Sequence, residues 1–338
     1  MFINYALNAQ TLGGNSVFNF LRLSNTPQLS ALGGINTTPQ SNDIGMAWHT
    51  PSLLRPDMHT QVNAVFNILP GDIKSYHLMA GYHARDWGTS FALGVQYLNY
   101  GEIPATDAAG NTMGQLRPSD YVVQLSASRA YGERWYYGAS LKFIQSSYGE
   151  YRASGLALDA SLSYQDTAAL LQVSLVLKNM GAQLKAYAGT QKTELPFDIQ
   201  AGISKKLANA PLQFSITAHH LHQFDILYED SSFNQVSGLE PATKTGNKFP
   251  EQLFRHVVLG VQAWLTDKVE LSAGYNHLRR KELNIGNAGN GLNGFSLGVG
   301  LLFKKIQLRY ARSHYQRQLT YNQVGLSFAM TGNGHDRQ

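Results

Sequence analysis

The amino-acid sequence predicts an all-β fold, a transmembrane antiparallel β-barrel of about 14 strands with an N-terminal luminal plug. Three observations carry this. Apolar and small-or-polar residues alternate with period two in segment after segment from Met58 onward, which places them on opposite faces of a sheet. The connections between segments are short and long by turns, as barrel turns and outer loops are. Charged residues make up 14% of the chain, against roughly 25% in ordinary soluble proteins, so water is not what most of the surface meets.

The chain opens on a short apolar stretch, residues 1–9, ending at Ala9 before Gln10. It reads as a signal-peptide remnant, although no basic residue precedes it. Residues 10–57 differ from all that follows. They are rich in Gly, Asn, Ser and Thr and interrupted by Pro27, Pro39, Pro51 and Pro56. A barrel of about 14 strands encloses more volume than its own side chains fill, so this segment is expected inside the lumen.

The barrel is expected over 58–330, with a tail at 331–338. Its strands are placed at 58–69, 73–84, 89–100, 120–131, 134–148, 152–165, 168–178, 195–206, 211–222, 254–265, 268–279, 293–304, 305–315 and 319–330. The third shows the pattern, with Phe91, Leu93, Val95 and Tyr97 on one face and Ser90, Ala92, Gly94 and Gln96 on the other. The sixth, eleventh and twelfth repeat it, with inward sets of Ser, Gly, Gln, Asn, Asp and Glu that predict a polar lumen.

Tight connections fall at 85–88, 132–133, 166–167, 207–210, 266–267 and 304–305, and long ones at 101–119, 179–194, 223–253 and 280–292. With both termini periplasmic, every long loop lies outside the cell. Tyr97, Tyr100, Tyr131, Trp135 to Tyr137, Trp264, Tyr310 and Tyr315 lie near strand ends, where interfacial aromatic girdles form.

The plug carries a family resemblance. Leu29-Ser30-Ala31-Leu32-Gly33-Gly34, followed by Asn42-Asp43-Ile44-Gly45-Met46-Ala47-Trp48-His49-Thr50-Pro51-Ser52-Leu53, resembles the N-terminal motif of FadL-type barrels, departing from it at His49-Thr50. With residues 13–28 included, the segment is similar to the PorQ-type barrels of the type IX secretion system of Bacteroidetes. That resemblance implies an outer-membrane location in a Bacteroidetes-type Gram-negative cell and a role in the cell-surface attachment complex. It also implies a PorZ-like surface protein as partner, with a PorU-like sortase and a PorV-like barrel alongside. A FadL-like transporter of hydrophobic small molecules is the alternative.

Residue chemistry adds candidates and removes others. The connection at 223–253 carries Phe224, Ile226, Tyr228, Phe233, Leu239 and Phe249, a set suited to partner docking. Arg279, Arg280 and Lys281 form the one tight basic run and are candidates for lipopolysaccharide phosphates. The remaining basic residues are scattered, which argues against nucleic acid. Gly294-Phe295-Ser296-Leu297-Gly298 matches a nucleophile-elbow pattern but lies inside a strand, where no elbow forms. His219-His220-Leu221-His222 is read as the end of a strand, with His219 facing away from His220 and His222, so no metal site is expected there. No catalytic residue, cofactor site or metal site is assigned.

Overall fold

Alternation of apolar and polar side chains needs a wall with two different solvents, and the computed structural model builds one. It describes residues 16–39, 41–69, 71, 73–107, 109–224, 226, 248–282, 291–316 and 319–330. The strands are β1 (Gln61–Leu69), β2 (Ile73–Ala84), β3 (Thr89–Asn99), β4 (Ile103–Thr106), β5 (Thr112–Leu116), β6 (Ser119–Tyr131), β7 (Trp135–Tyr148) and β8 (Tyr151–Asp166). They continue as β9 (Leu171–Lys185), β10 (Asp198–Lys206), β11 (Leu212–Ala218), β12 (Val257–Thr266), β13 (Val269–Asn276), β14 (Phe295–Leu302), β15 (Ile306–Gln316) and β16 (Leu319–Ala329). Fourteen of these pair antiparallel, neighbour to neighbour, and β1 closes on β16. β4 and β5 form a separate hairpin in the connection from β3 to β6.

Register shows why the outer face is apolar. Leu93, Leu125, Leu141 and Leu158 stand directly opposite one another across β3, β6, β7 and β8, and all four are exposed. Leu301, Leu308 and Leu326 continue such a row on β14, β15 and β16. Exposed leucines in rows are tolerable only against hydrocarbon. Among the described residues no helix is long and apolar enough to span a membrane; the strands supply the crossing.

The predicted strands all exist, with several ends displaced. β9 runs to Lys185 rather than stopping at 178, because a bulge lets it continue. Asn179 takes a left-handed φ of 55° there, and the register with β8 slips between Leu158 and Ala160. Asn tolerates that conformation better than most residues. β11 stops at Ala218, and β13 stops at Asn276, whose side-chain oxygen accepts a hydrogen bond from the Arg279 amide at 3.0 Å. That is an N-cap, and a helix follows, so residues 277–279 belong to a helix and not to the predicted strand. The β4–β5 hairpin carries no alternation, since all of β5 is exposed, and sequence pattern had no means of finding it.

The plug is built from short turns with their own punctuation. Thr26 caps helix α1 (Pro27–Ala31) by accepting from the Leu29 amide at 3.2 Å, and Pro27 occupies the first position, where its missing N–H costs nothing. Gly33 and Gly34 end it with φ of 91° and 87°, the Gly34 amide bonding the Leu29 carbonyl at 2.9 Å. Only glycine enters that region freely. Asp43 caps the next turn, Ile44–Trp48. The motif residues of the plug are therefore mostly local stop and start signals.

This segment traverses the lumen. Ser16 bridges Glu194 in the connection between β9 and β10, at the end bearing the long loops, and Thr60 meets Met330 at the opposite end. The strand ends of β1 and β16 do share the turn end, as expected. The first described residue does not: it sits at the loop end.

Candidate functional site

Inward-facing side chains and the plug form one interlocked interior. Arg309 of β15 lies between Asp43 of the plug and Glu270 of β13, 3.4 Å from each carboxylate, with all three buried. Asp43 also accepts from Asn63 of β1 at 3.0 Å and Ser327 of β16 at 2.9 Å. Gln28 donates to Glu270 at 3.2 Å. On the other wall, Gln124 of β6 donates to the Trp48 carbonyl at 3.1 Å, and Ser52 bonds both Ser161 and Ser163 of β8. Lys142 and Asp159 form a buried ion pair at 2.5 Å, and Asn179 bonds both of them. Buried charges must be paired in this way to be tolerated.

Inward glycines let the plug approach the wall. A side chain on Gly274 would meet the backbone of Gly33 and Leu32 at 2.2 and 2.3 Å, and one on Gly138 would meet Pro51 and Ser52 at 2.6 Å. These contacts are backbone to backbone, so nothing can rotate aside. The polar lumen predicted by alternation holds for most of the wall. It fails between β3 and β8 toward the loop end, where Leu98, Val122, Ile144, Ala153 and Ala157 face inward and pack on Phe18, Phe20 and Leu21 of the plug. Leu98, Val122 and Ile144 come one from each of β3, β6 and β7, and β8 adds two, Ala153 and Ala157.

Several aromatics expected in the girdles serve the interior instead. Tyr100 donates to the inward Asp120 at 2.5 Å, Arg55 of the plug lies 3.4 Å over the Tyr136 ring, and Tyr315 packs edge-on against buried Tyr321. Tyr97, Tyr131, Trp135, Tyr137 and Tyr310 do face outward. Ser296 is fully buried toward the lumen, between exposed Phe295 and Leu297, with the Arg279 guanidinium as its hydrogen-bond donor at 3.3 Å. It lies in β14 and not on a strand-to-helix elbow.

At the loop end, helix α2 (Lys248–Arg255) and helix α3 (His277–Glu282) meet through the Lys281–Glu251 ion pair at 3.1 Å. Glu251 also pairs with Arg255. These partners hold the Glu251 carboxyl below its ordinary range, the Lys281 and Arg255 hydrogen bonds contributing most. Arg279 turns into the lumen, its guanidinium 4.6 Å over the Tyr315 ring and against Gly34 of the plug, which takes it away from the lipid surface. Arg280 and Lys281 are exposed. Of the docking candidates, Phe224 and Phe249 are exposed and 5.8 Å apart, with Leu221, Leu253 and Phe254 exposed nearby, whereas Ile226 is buried. Tyr228, Phe233 and Leu239 lie outside the described residues.

Residues 219–222 depart most from expectation. Because β11 has ended, strand alternation no longer applies, and a φ of 54° at His220 turns its ring in beside His219. Both are buried while His222 is exposed. A cavity of about 50 Å³ adjoins His220, lined also by Arg22, His49, Lys178, Asn179 and Asp198 among others. Burial, followed by the neighbouring Lys178 and Lys142, keeps His49 well below the ordinary histidine value.

No family model matches the chain, and no curated protein matches it. Solved structures do. A monoaromatic hydrocarbon channel, the TodX deltaS2S3 mutant, aligns over 90% of this chain and 98% of its own at 10% identity and a TM-score of 0.51. A second TodX channel mutant, deltaS2, gives 11% identity and 0.48 over the same shares, and the KdgM porin gives 7% and 0.35 over 80% and 99%. At such identity the likeness is one of fold: a closed 14-stranded antiparallel barrel of the outer-membrane channel kind.

Proposed function

We propose that the protein is an outer-membrane barrel whose lumen is occupied by a structural plug and whose loop end docks a protein at the cell surface. The observation that carries this reading is the Asp43–Arg309–Glu270 bridge, a buried tie that holds the plug to β13 and β15. A plug secured on opposite walls suits a scaffold better than a conduit. Exposed Phe224, Phe249, Leu253 and Phe254 supply an apolar surface at the loop end, of the aromatic kind that protein interfaces favour. In the setting implied by the PorQ-like plug motif, the partner is a PorZ-like attachment protein, with Arg280 and Lys281 facing lipopolysaccharide phosphates. No catalytic role is assigned to the barrel. Replacing Phe224, Phe249, Leu253 and Phe254 together with serine and purifying the barrel from outer membranes tests the reading. Loss of a co-purifying surface protein is expected, and unchanged recovery of that protein would sink it.

A second reading rests on the inward apolar patch formed by Leu98, Val122 and Ile144. If the plug moves, this wall is exposed to the lumen and suits a hydrophobic small molecule, in line with the hydrocarbon-channel fold. Uptake of a radiolabelled aromatic hydrocarbon into proteoliposomes, lost on Val122→Asp, would favour transport over docking.

A further inference from the structure

We infer that Asp198, His219 and His220 form a binding site for one transition-metal dication of the zinc class, closing the base of the long loop after β11. One ligand atom from each residue lies within 4.8 Å of the others. The two Nδ1 atoms are 2.5 Å apart, so two imidazoles converge where at most one proton fits between them. With Zn–N bonds of about 2.0–2.1 Å, tetrahedral coordination needs these atoms roughly 3.3 Å apart, an opening of less than about 1 Å.

The supporting groups match a metal centre. Asp198 is oriented by the His220 amide at 2.6 Å and by Gln200 at 2.7 Å, which leaves carboxylate lone pairs free. His256 holds the His219 backbone: its carbonyl accepts from the His219 amide at 2.9 Å, and its ring Nδ1 lies 2.8 Å from the His219 carbonyl and its Nε2 2.9 Å from the Phe224 carbonyl. Such partners fix ligands in metal sites. Arg22 faces Asp198 and Glu282 and opposes a dication. An ion here would tie β10 to the loop that carries Phe224, a role independent of whether that loop docks a partner.

The test is calorimetric titration of Zn2+ into the tag-free full-length barrel in detergent, with Co2+ absorption as the report on coordination. One ion per chain and a tetrahedral cobalt spectrum are expected. His219→Ala, His220→Ala and Asp198→Asn should each weaken affinity by at least about tenfold, the loss that removing even a residue behind the ligands brings, while His222→Ala leaves it unchanged. Arg22→Gln should tighten it. Retained heat-modifiable mobility on gels certifies that each variant is folded. Absence of saturable binding, or equal affinity in the folded His219→Ala/His220→Ala double variant, would overturn the site. So would weaker binding in Arg22→Gln, which is the mark of an anion site.

Discussion

Replacing Arg309 with methionine removes the charge that joins the plug to two strands while keeping most of the side-chain volume. At 3.4 Å from each carboxylate and an effective dielectric of about 20, each attraction is worth about 5 kcal/mol gross. Desolvation of the three groups offsets most of that. What the variant experiences is the stranding of Asp43 and Glu270, both buried, and breaking one partner of a buried pair costs about 3–5 kcal/mol. Urea unfolding of the barrel in detergent should therefore lose about that much, and protease should reach the plug near Asp43 first. The triple variant Asp43→Asn/Glu270→Gln/Arg309→Met removes the unpaired charges and should recover most of the loss. If Arg309→Met unfolds within about 1 kcal/mol of the parent and its plug resists protease equally, the bridge does not secure the plug.

Gly274→Ala drives a methyl into the Leu32–Gly33 backbone; overpacking of this kind costs about 1–3 kcal/mol, measurable as a lower unfolding midpoint, and Gly291→Ala, in open space without a left-handed backbone, is the control. Trp48→Ala empties a fully buried site under Gly94 and should cost about 3–5 kcal/mol, with raised ion conductance in planar bilayers as the second readout. The α2–α3 contact should loosen in acid. Glu251 titrates below its unfolded value of about 4.3, so its contribution is complete above that pH and is lost as pH falls through its lower folded value. A fluorophore at position 253 should report the change, and Glu251→Gln should abolish its pH dependence.

Period-two alternation determined the fourteen barrel strands and which side chains face outward, because successive side chains of an extended chain point to opposite faces and lipid admits only apolar ones; the spacing between strands gave the alternation of tight turns with long connections. The plug's turns are local as well, Thr26-Pro27, Gly33-Gly34 and Asp43 acting on their own backbone neighbours, although in the sequence they stood out only as a family motif. Alternation fails wherever a strand stops. Asn276 caps a helix that turns Arg279 into the lumen, and the end of β11 at Ala218 puts His219 and His220 side by side, which no face-counting rule anticipates. Which inward residues meet depends on barrel closure. Arg309, Asp43 and Glu270 are separated by up to 266 positions, and only the path of the plug across a closed sheet brings them together. The apolar patch at Leu98, Val122 and Ile144 was likewise invisible strand by strand, since one exception per strand becomes a surface only when neighbouring strands set them side by side.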